Sequence, residues 1–498
     1  MLNTSRSLPL SPFSDLYDIL LPKDNLYRRL ADEIDYSFVY EALSPLYDSR
    51  RGRYGVDPDR MIKILMLKAM TEMSDRDLVE EINYNMAFKY FLGMRPEEKV
   101  IDSSTLAKFR TQRLKNHEEL VNDLLMKTVS IAIERGVISC DSNGKATCKV
   151  SYDATHIETI GAITDAMRGA HYYISKLYSR LENKCEGSTA SFPKIPKKFA
   201  SAEEALDVLI KVTNQVRQSD FGVVTDIQLR RLLNRMEEAI TDYQTIGTHC
   251  AADRDARIGH KSVTKTFGGY KNSIGTEVES GLIVSIKTTQ GNASDTTVGR
   301  EMITADIKRE DIKIIQILGD AAYGPSDLVE KTKQKGIELI APHNGKLGSS
   351  NIERDGYTFD KDSGMVVCPN GQLAIYRTRR RYPDENNRIV DMYYFDIEKC
   401  RICRQRDQCL KHPNAKSKSY SVTINTEEQK KRIKECRTKE FKEKYRKRSV
   451  SERTNSVLKK SFGLKNAYGK ELNVVTVQSA IAAIAYNLRL ITNKTDCK

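Results

Sequence analysis

Tyr445-Arg-Lys-Arg448-Ser-Val-Ser-Glu452-Arg-Thr-Asn-Ser-Val-Leu-Lys459 is the stretch of this 498-residue chain that says most about its fold. Its Tyr, Arg, Glu and Lys recur at steps of three, four and seven residues, which predicts that all four lie on one face of a helix. A Glu flanked by cations can bind a metal ion while its neighbours bind phosphate, provided that other carboxylates come from elsewhere in the fold. Those other carboxylates therefore decide both fold and function.

The composition is that of a soluble globular protein with an excess of basic residues. Hydrophobic residues make up 39% of the chain and charged residues 30%, and the mean hydropathy is −0.52. We expect about two to four domains or large insertions. No apolar run approaches the roughly 20 residues of a membrane span, and the N-terminus lacks a secretory signal pattern, so we expect a cytoplasmic protein without a membrane partner. The net charge of +14 favours a polyanionic partner such as nucleic acid.

Capping signals and apolar periodicity predict a helical N-terminal domain over residues 1–140. Ser74 precedes one helix and Asp102 another, each placed so that a side-chain oxygen can cap exposed backbone N–H groups. The helix after Asp102 is basic, which is compatible with a DNA-binding helix-turn-helix and equally with a plain helical bundle. The helix-turn-helix and the helical bundle therefore both remain open interpretations of this segment.

Two acidic residues follow predicted strands. Asp153 ends the short strand Lys149–Asp153, and Asp320 follows the buried strand Ile312–Leu318, which opens a strand-helix-strand unit. Open α/β sheets bind their ligands at the carboxyl ends of such strands. Taken singly, an Asp in this place is more often a turn or helix-cap residue.

The predicted elements describe an α/β core with two insertions. Five segments follow the N-terminal domain: core 141–163, helical insertion 164–249, core 250–340, β-rich insertion 341–430 and core 431–492. Asp153, Asp320 and Glu452 all lie in core segments, whose elements can converge on one sheet edge. Three carboxylates there would bind two Mg²⁺ or Mn²⁺ ions roughly 3.5–4 Å apart, which activate water or a 3′-hydroxyl for attack on a phosphodiester.

These residues resemble a known family, the DDE transposases of bacterial insertion sequences that carry a Tyr-Arg-Glu-Lys signature. The spacing of Tyr445, Arg448, Glu452 and Lys459 reproduces that signature. Two upstream blocks resemble the family's first and second catalytic Asp regions, Tyr152–Thr155 and Leu318–Gly324. Three further blocks also match: Asp253–Arg257, Gly269–Lys271 and Gly291–Asp295. The resemblance spans approximately residues 45 to 490.

The resemblance implies a ribonuclease H-like mixed sheet with a helical N-terminal transposase domain. By it, Asp153, Asp320 and Glu452 form the metal-binding catalytic triad. Tyr445, Arg448 and Lys459 are then expected to bind DNA phosphates. The implied reaction is metal-dependent hydrolysis at the ends of the element, followed by transfer of the 3′-hydroxyl to target DNA. The expected partner is double-stranded DNA, handled by a homodimer because two ends must be processed.

Alternatives to this function remain. The same fold suits a DNA-binding protein without cleavage activity, and the same triad suits a metal-dependent nuclease that does not transfer strands. Some relatives use a Trp of the β insertion to stack on a flipped base, whereas this chain has no Trp. Either an aromatic residue replaces it, or the hairpin pathway is absent; three tyrosines are candidates, Tyr376, Tyr382 and Tyr394.

Four of the ten cysteines fall within the β-rich insertion: Cys368, Cys400, Cys403 and Cys409. The Cys400-Arg-Ile-Cys403 pair is typical of a zinc knuckle, and a tetrahedral Cys₄ site would stabilise an insertion with little core of its own. The alternatives are unligated thiols or redox chemistry. His412 is an alternative ligand, although a lone His near a loop is more often simply exposed.

Overall fold

The computed structural model describes residues 11–495 with some gaps. The residues left out within that span are 49–54, 143, 184–188, 220–225, 246, 262–264, 325, 343–351, 353–354, 361–362, 364, 383–387, 402, 404, 411, 413–414, 425–430 and 433. The chain divides into two compact units. Unit one takes residues 1–146, 153–298 and 451–498, and unit two takes residues 147–152 and 299–450.

The N-terminal part of unit one is helical. Its helices are α1 (Asp15–Leu20), α2 (Leu26–Glu33), α3 (Ser37–Leu43), α4 (Pro58–Thr71), α5 (Asp75–Tyr84), α6 (Met86–Phe91), α7 (Ser103–Lys108) and α8 (Glu118–Glu134). Both predicted caps are confirmed: the Ser74 side chain accepts from the Asp77 N–H, and the Asp102 side chain accepts from the Ser104 N–H. These bonds fix where α5 and α7 begin.

The basic segment after Asp102 leaves α-helical geometry partway along. After α7 the chain forms a π-helical turn over Phe109–Leu114. Arg110 donates to both carboxylate oxygens of Asp75, at 2.9 and 2.6 Å, and Arg113 donates to the Leu46 carbonyl at 2.7 Å. Because these two guanidinium groups bind within the helical domain, they favour the bundle interpretation of this segment over a helix that presents them to DNA.

Strands complete the core of unit one. They are β1 (Ala146–Glu158), β4 (Arg257–His260), β5 (Thr266–Glu277) and β6 (Ile283–Gln290). In sheet order β4, β5 and β1 follow one another, and β6 also pairs with β5. Strands β5 and β6 are antiparallel, with a bulge at Gly275/Thr276.

The prediction that Asp153 ends a strand is wrong. Strand β1 continues through Glu158, so Asp153 lies in its middle and not at its end. The reason is the sequence that follows, where buried Thr155 and Ile157 alternate with more exposed His156 and Glu158. That alternation, with two β-branched residues on the inner face, is typical of a strand.

The helical insertion has its own core. It contains α9 (Ala166–Glu182), α10 (Ala202–Gln218) and α11 (Ile227–Thr245), whose apolar faces pack together around residues such as Tyr173, Leu209 and Leu233. The insertion begins and ends in a small antiparallel pair, β2 (Ile163–Asp165) with β3 (Thr248–Cys250). Pairing of its two ends allows this segment to interrupt the chain without displacing the strands on either side.

The last helix, α18 (Leu472–Thr495), is a core element of unit one. Asn487 is fully buried; it accepts from the Ile283 N–H at 2.9 Å and donates to the Ile283 carbonyl and the Thr128 hydroxyl. Residues Leu472–Lys494 are long and apolar enough to cross a membrane by length and composition, contrary to the sequence expectation, but 78% of the apolar window is buried in the structure. Such burial is typical of a core helix.

Unit two contains the predicted strand-helix-strand unit. After α12 (Asp295–Asp306) come β7 (Ile312–Leu318), α13 (Ser326–Gln334) and β8 (Glu338–Ile340). Strands β7 and β8 are parallel, with Leu318 opposite Ile340, as a helical crossover requires. Residues 147–152 of β1 belong to this unit, in which β1, β7 and β8 follow one another. The predicted strand-helix-strand unit that begins with Ile312–Leu318 is confirmed.

The rest of unit two is rich in short strands. Its elements are β9 (Thr358–Asp360), β10 (Met365–Val367), β11 (Tyr376–Tyr382), β12 (Arg388–Phe395), α14 (Ile397–Arg401), α15 (Arg406–Cys409), β13 (Lys418–Ile424) and α16 (Lys439–Arg446). Strands β9 and β10 form a hairpin, and β11, β12 and β13 form an antiparallel sheet. The buried core here is small, with Tyr357, Val366, Tyr393 and Phe395 among its members.

Candidate functional site

Asp153 and the helix that carries Glu452 lie next to each other in unit one. The helix is α17 (Ser449–Ser461), and Glu452 is exposed in its first turn. One turn further, Asn455 donates from Nδ2 to Asp153 Oδ2 at 2.9 Å, although the two residues are 302 positions apart. The Asn455 Oδ1 atom is buried and has no hydrogen-bond partner among the described residues. Asn455 is not predicted from the sequence, where its only signal is its position three residues after Glu452.

A basic group adjoins this pair. The Lys459 ammonium donates to Nδ1 of His156 at 3.2 Å, and Lys261 forms a 3.0 Å ion pair with Glu158. Burial, with Lys459 and Lys261 nearby, lowers the pKa of His156 to about 4. Burial, with Lys261 nearby, lowers the pKa of Lys459 to about 8, an effect that Glu158 and Asp153 oppose. At neutral pH His156 is therefore an uncharged acceptor and Lys459 is still largely protonated.

An open groove runs beside these cations. It has a volume of about 300 Å³, and its lining includes Glu158 of β1, Ile258 of β4 and Phe267 of β5, together with residues of the connection from β1 to β2. The Phe267 ring contacts the His156 ring, with centroids 4.9 Å apart, and Lys261 lies 5.9 Å from the same Phe267 ring. The groove therefore has an aromatic wall with cations beside it, a combination that suits a nucleotide strand.

The buried carboxylate of Asp253 connects β5 to the residue that precedes α18. Asp253 accepts from the Tyr270 hydroxyl at 2.7 Å and from the Glu471 N–H at 3.0 Å. Asp255 accepts from the Leu472 N–H at 2.8 Å, at the start of α18. Burial and Asp253 raise the pKa of Tyr270, which stays protonated as the donor. The Asp253–Arg257 block thus fixes the start of α18 relative to β5.

Asp320 belongs to unit two. It follows β7 as predicted, and its Oδ1 accepts from the Ala322 N–H at 2.8 Å, so that it caps the 3₁₀ turn Ala321–Tyr323. The loop that follows is held by Arg432, which donates to the carbonyls of Gly324 and Ala341. The cap is the role expected of an isolated Asp after a strand, and it engages the Oδ1 atom of the carboxylate.

The signature residues do not share one helix, which corrects the sequence prediction. Helix α16 ends at Arg446, Arg448 lies in the turn that follows, and α17 begins at Ser449. Tyr445 is thus in unit two with Arg448, whose guanidinium lies 5.7 Å from the Tyr445 ring. Glu452 and Lys459 remain on α17. A three-, four- and seven-residue spacing cannot reveal a single turn that interrupts a helix.

The three tyrosines that are candidates for base stacking lie in unit two. Tyr376 and Tyr394 are opposite each other on β11 and β12, with rings stacked at a centroid distance of 4.4 Å, and Arg380 donates to the Tyr394 hydroxyl. Tyr376 is 48% exposed. Tyr382 ends β11 and is half-buried. Base stacking by these tyrosines stays a prediction.

The clustered cysteines line a single cavity in unit two. All four are free thiols. His412 is exposed and is not among the residues that line the cavity. Across the described parts of the chain, no group of three or more His, Cys, Asp or Glu side chains is already arranged to hold a metal ion. Both the carboxylate triad and the zinc site therefore stay predictions.

Comparison with known families covers most of the chain. Residues 15–112 match a family described as a transposase domain (DUF772). Residues 234–488, just over half of the chain, match the transposase DDE domain. The chain belongs to the DDE transposase family. The predicted family is confirmed, and the helical N-terminal region of the transposase is matched independently of its catalytic domain.

Membership defines the general chemistry of this transposase. The DDE domain implies a ribonuclease H-like fold, in agreement with the mixed sheet, and phosphoryl transfer on DNA as the class of reaction. Enzymes of the family generally use divalent metal ions. No curated protein matches the transposase.

Proposed function

We propose that this transposase hydrolyses phosphodiester bonds at the ends of its own element and joins the freed 3′-hydroxyl to target DNA. The bond between Asn455 and Asp153 carries this proposal, because it sets the second turn of α17 beside the middle of β1. Glu452 lies one turn before Asn455 on the same helix. Two acidic groups on these neighbouring elements, with Lys459 and Lys261 close by, suit a reaction on a DNA phosphate.

We assign metal binding to Asp153, Asp320 and Glu452. Carboxylate oxygens are the donors that Mg²⁺ and Mn²⁺ prefer, and the unpaired Asn455 Oδ1 is a buried acceptor suited to a metal-bound water. When bound, two such ions supply charge stabilisation at the phosphate and a more acidic water or 3′-hydroxyl. The same site then serves hydrolysis and strand transfer, since water and the 3′-hydroxyl are alternative nucleophiles at one position.

The chain's own cations bind and orient the DNA in this proposal. Lys459 directs its ammonium toward a phosphate while His156 accepts one of its hydrogen bonds. Lys261 stands beside the groove and is held there by Glu158. Arg448 offers a planar donor for bidentate phosphate contact, and Tyr445 a hydroxyl.

A joint assay separates this function from its two alternatives. The substrate is DNA that carries the inverted repeats flanking the coding region, supplied uncut and as a pre-cut end with a supercoiled plasmid. The proposal predicts cleavage of the uncut end in Mg²⁺ and joining of the pre-cut end to plasmid. Binding without cleavage would identify a silent DNA-binding protein. Cleavage without joined product would identify a nuclease.

We also propose that two copies of the chain act together on DNA, because an element has two ends to process. The mass of the complex with a pre-cut end, measured by light scattering, is expected to correspond to two chains and two DNA ends. A complex of one chain with one end under cleavage conditions would contradict this assembly.

A further inference from the structure

Two short loops of unit two present cysteine sulfurs with donors directed at them. In the first, Cys368 opens a tight turn in which the Gly371 N–H bonds to the Cys368 carbonyl and the Gln372 N–H donates to Cys368 Sγ at 3.4 Å. Gly371 has φ +76°, a conformation that favours glycine. In the second, the Cys403 N–H bonds to the Cys400 carbonyl, and the Gln405 N–H donates to Cys403 Sγ at 3.4 Å. Hydrogen bonds to a ligand atom orient it in metal sites.

The two loops meet at one cavity. It has a volume of about 30 Å³, and Cys368, Cys400, Cys403 and Cys409 all line it. A space of this size holds an ion or a water or two, and no organic ligand. Lys399 and Lys418 line the same cavity, and Lys418 also donates to the Cys409 carbonyl at 2.8 Å.

We propose that these four cysteines bind one structural Zn²⁺ ion as a tetrahedral thiolate site. The ion would draw the four thiols inward to Zn–S distances of about 2.3 Å, since they do not form a closed ligand set in this structure. Four thiolates around Zn²⁺ carry two net negative charges, which Lys399 and Lys418 offset. The thiol protons leave to solvent when the metal binds.

The surroundings explain why an ion is needed here. The buried core of the strand-rich segment is small, and segments with so few apolar contacts usually need a staple such as a metal or a disulfide. The four thiols are free. A zinc ion would join the turn that follows the β9–β10 hairpin to helices α14 and α15.

The test is the metal content of the full-length chain, purified without a metal-affinity step and analysed for zinc and iron. We expect about one zinc per chain in the wild type and loss of that zinc in the C400S/C403S double variant. The matched control is C140S, which removes an exposed thiol of unit one and should keep the zinc. Wild type without zinc, wild type with iron in its place, or a double variant that retains zinc would each overturn the proposal.

A second measurement covers the case in which the double variant does not fold. The wild-type chain is produced in medium in which Co²⁺ replaces Zn²⁺, and its visible absorption spectrum is recorded. Tetrahedral thiolate coordination predicts intense sulfur-to-cobalt charge-transfer and d–d bands, and their absence would refute the site. Neither measurement involves DNA, so failure of the zinc site and failure of the proposed transposase chemistry are distinguishable.

Discussion

At the scale of single residues, the contact that matters most is the one between Asp153 and Asn455. It orients one oxygen of the carboxylate and buries the amide next to the acidic turn of α17. Groups that hold a metal-binding carboxylate in place typically change activity by about 10- to 100-fold when they are removed. Asn455 is therefore a positioning residue whose effect on the reaction should be large.

The first prediction concerns Asn455→Ala. We expect the rate of end cleavage at saturating DNA to fall about 10- to 100-fold, with a raised Mg²⁺ requirement and little change in end binding. The control is Ser456→Ala, an exposed position on the same helix. A variant with weakened binding and an unchanged Mg²⁺ requirement would show that Asn455 acts only through the fold.

The second prediction concerns Lys459. Replacing it by Ala should weaken DNA binding and lower the salt dependence of binding by about one counterion, because one phosphate contact is lost. Lys460→Ala removes an equal charge from an exposed neighbouring position. It should change the affinity for DNA and the salt dependence of binding less. Binding is measured by fluorescence anisotropy over a series of salt concentrations. Equal effects of the two substitutions would mean that only net charge matters.

The third prediction concerns the pH dependence of stability. Since the pKa of His156 is lowered to about 4 in the folded chain, the unfolded chain binds more protons between pH 4 and the ordinary value near 6.5, and stability falls as pH drops through that window. From pH 7 to pH 5 the wild type should lose about 1–2 kcal/mol more than His156→Asn. Denaturant unfolding at pH 7 and at pH 5 measures the loss of stability in each protein. Identical losses in the wild type and in His156→Asn would contradict the environment assigned to His156.

At the scale of elements, the packing of α18 on β6 depends on one buried amide. Asn487 satisfies both backbone groups of Ile283 and contacts Thr128 of α8. Its replacement by Ala would leave these buried groups unpaired and should cost about 3 kcal/mol. Asn493→Ala, at an exposed position of the same helix, should cost less than about 0.5 kcal/mol. Thermal unfolding measures the stability lost by each variant. Similar losses of stability in both variants would refute the role given to Asn487.

Elements specified by local patterns could be predicted from the sequence. The caps at Ser74 and Asp102 follow from a polar side chain just before a periodic run, and the β7–α13–β8 unit follows from a buried run, a turn and a helix signal. Elements that depend on their neighbours were harder to predict. The polar residues after Asp153 predict that a strand ends there, yet their alternation with apolar residues extends β1 to Glu158.

The residues of the candidate site also divide into those that could be predicted from the sequence and those that could not. The three acids and the signature cations could be chosen from spacing and from resemblance. Asn455, His156 and Lys261 could not, because each acquires its role from a contact with a residue distant in sequence, such as the 303 positions between His156 and Lys459. The turn between α16 and α17 was also missed, since helical spacing persists across a break of two residues.

At the scale of the whole molecule, the charge of the chain and its two family matches agree on the partner. The net charge of +14 favours DNA, and both the N-terminal and the DDE domain match transposase families. Arg110 and Arg113 are used inside the helical domain, so other cations of that domain must provide its contacts if it binds the element ends.

The most direct test of the central claim is the rate of end cleavage in Mg²⁺ by the wild type and by Asp153→Asn, Asp320→Asn and Glu452→Gln. Each substitution removes one negative charge at nearly constant shape. The claim predicts that all three variants bind the element end and that each cleaves at least about a thousandfold more slowly. Glu443→Gln, an exposed acid on α16, should cleave at the wild-type rate. Wild-type cleavage by any one of the three variants would contradict the assignment of the triad.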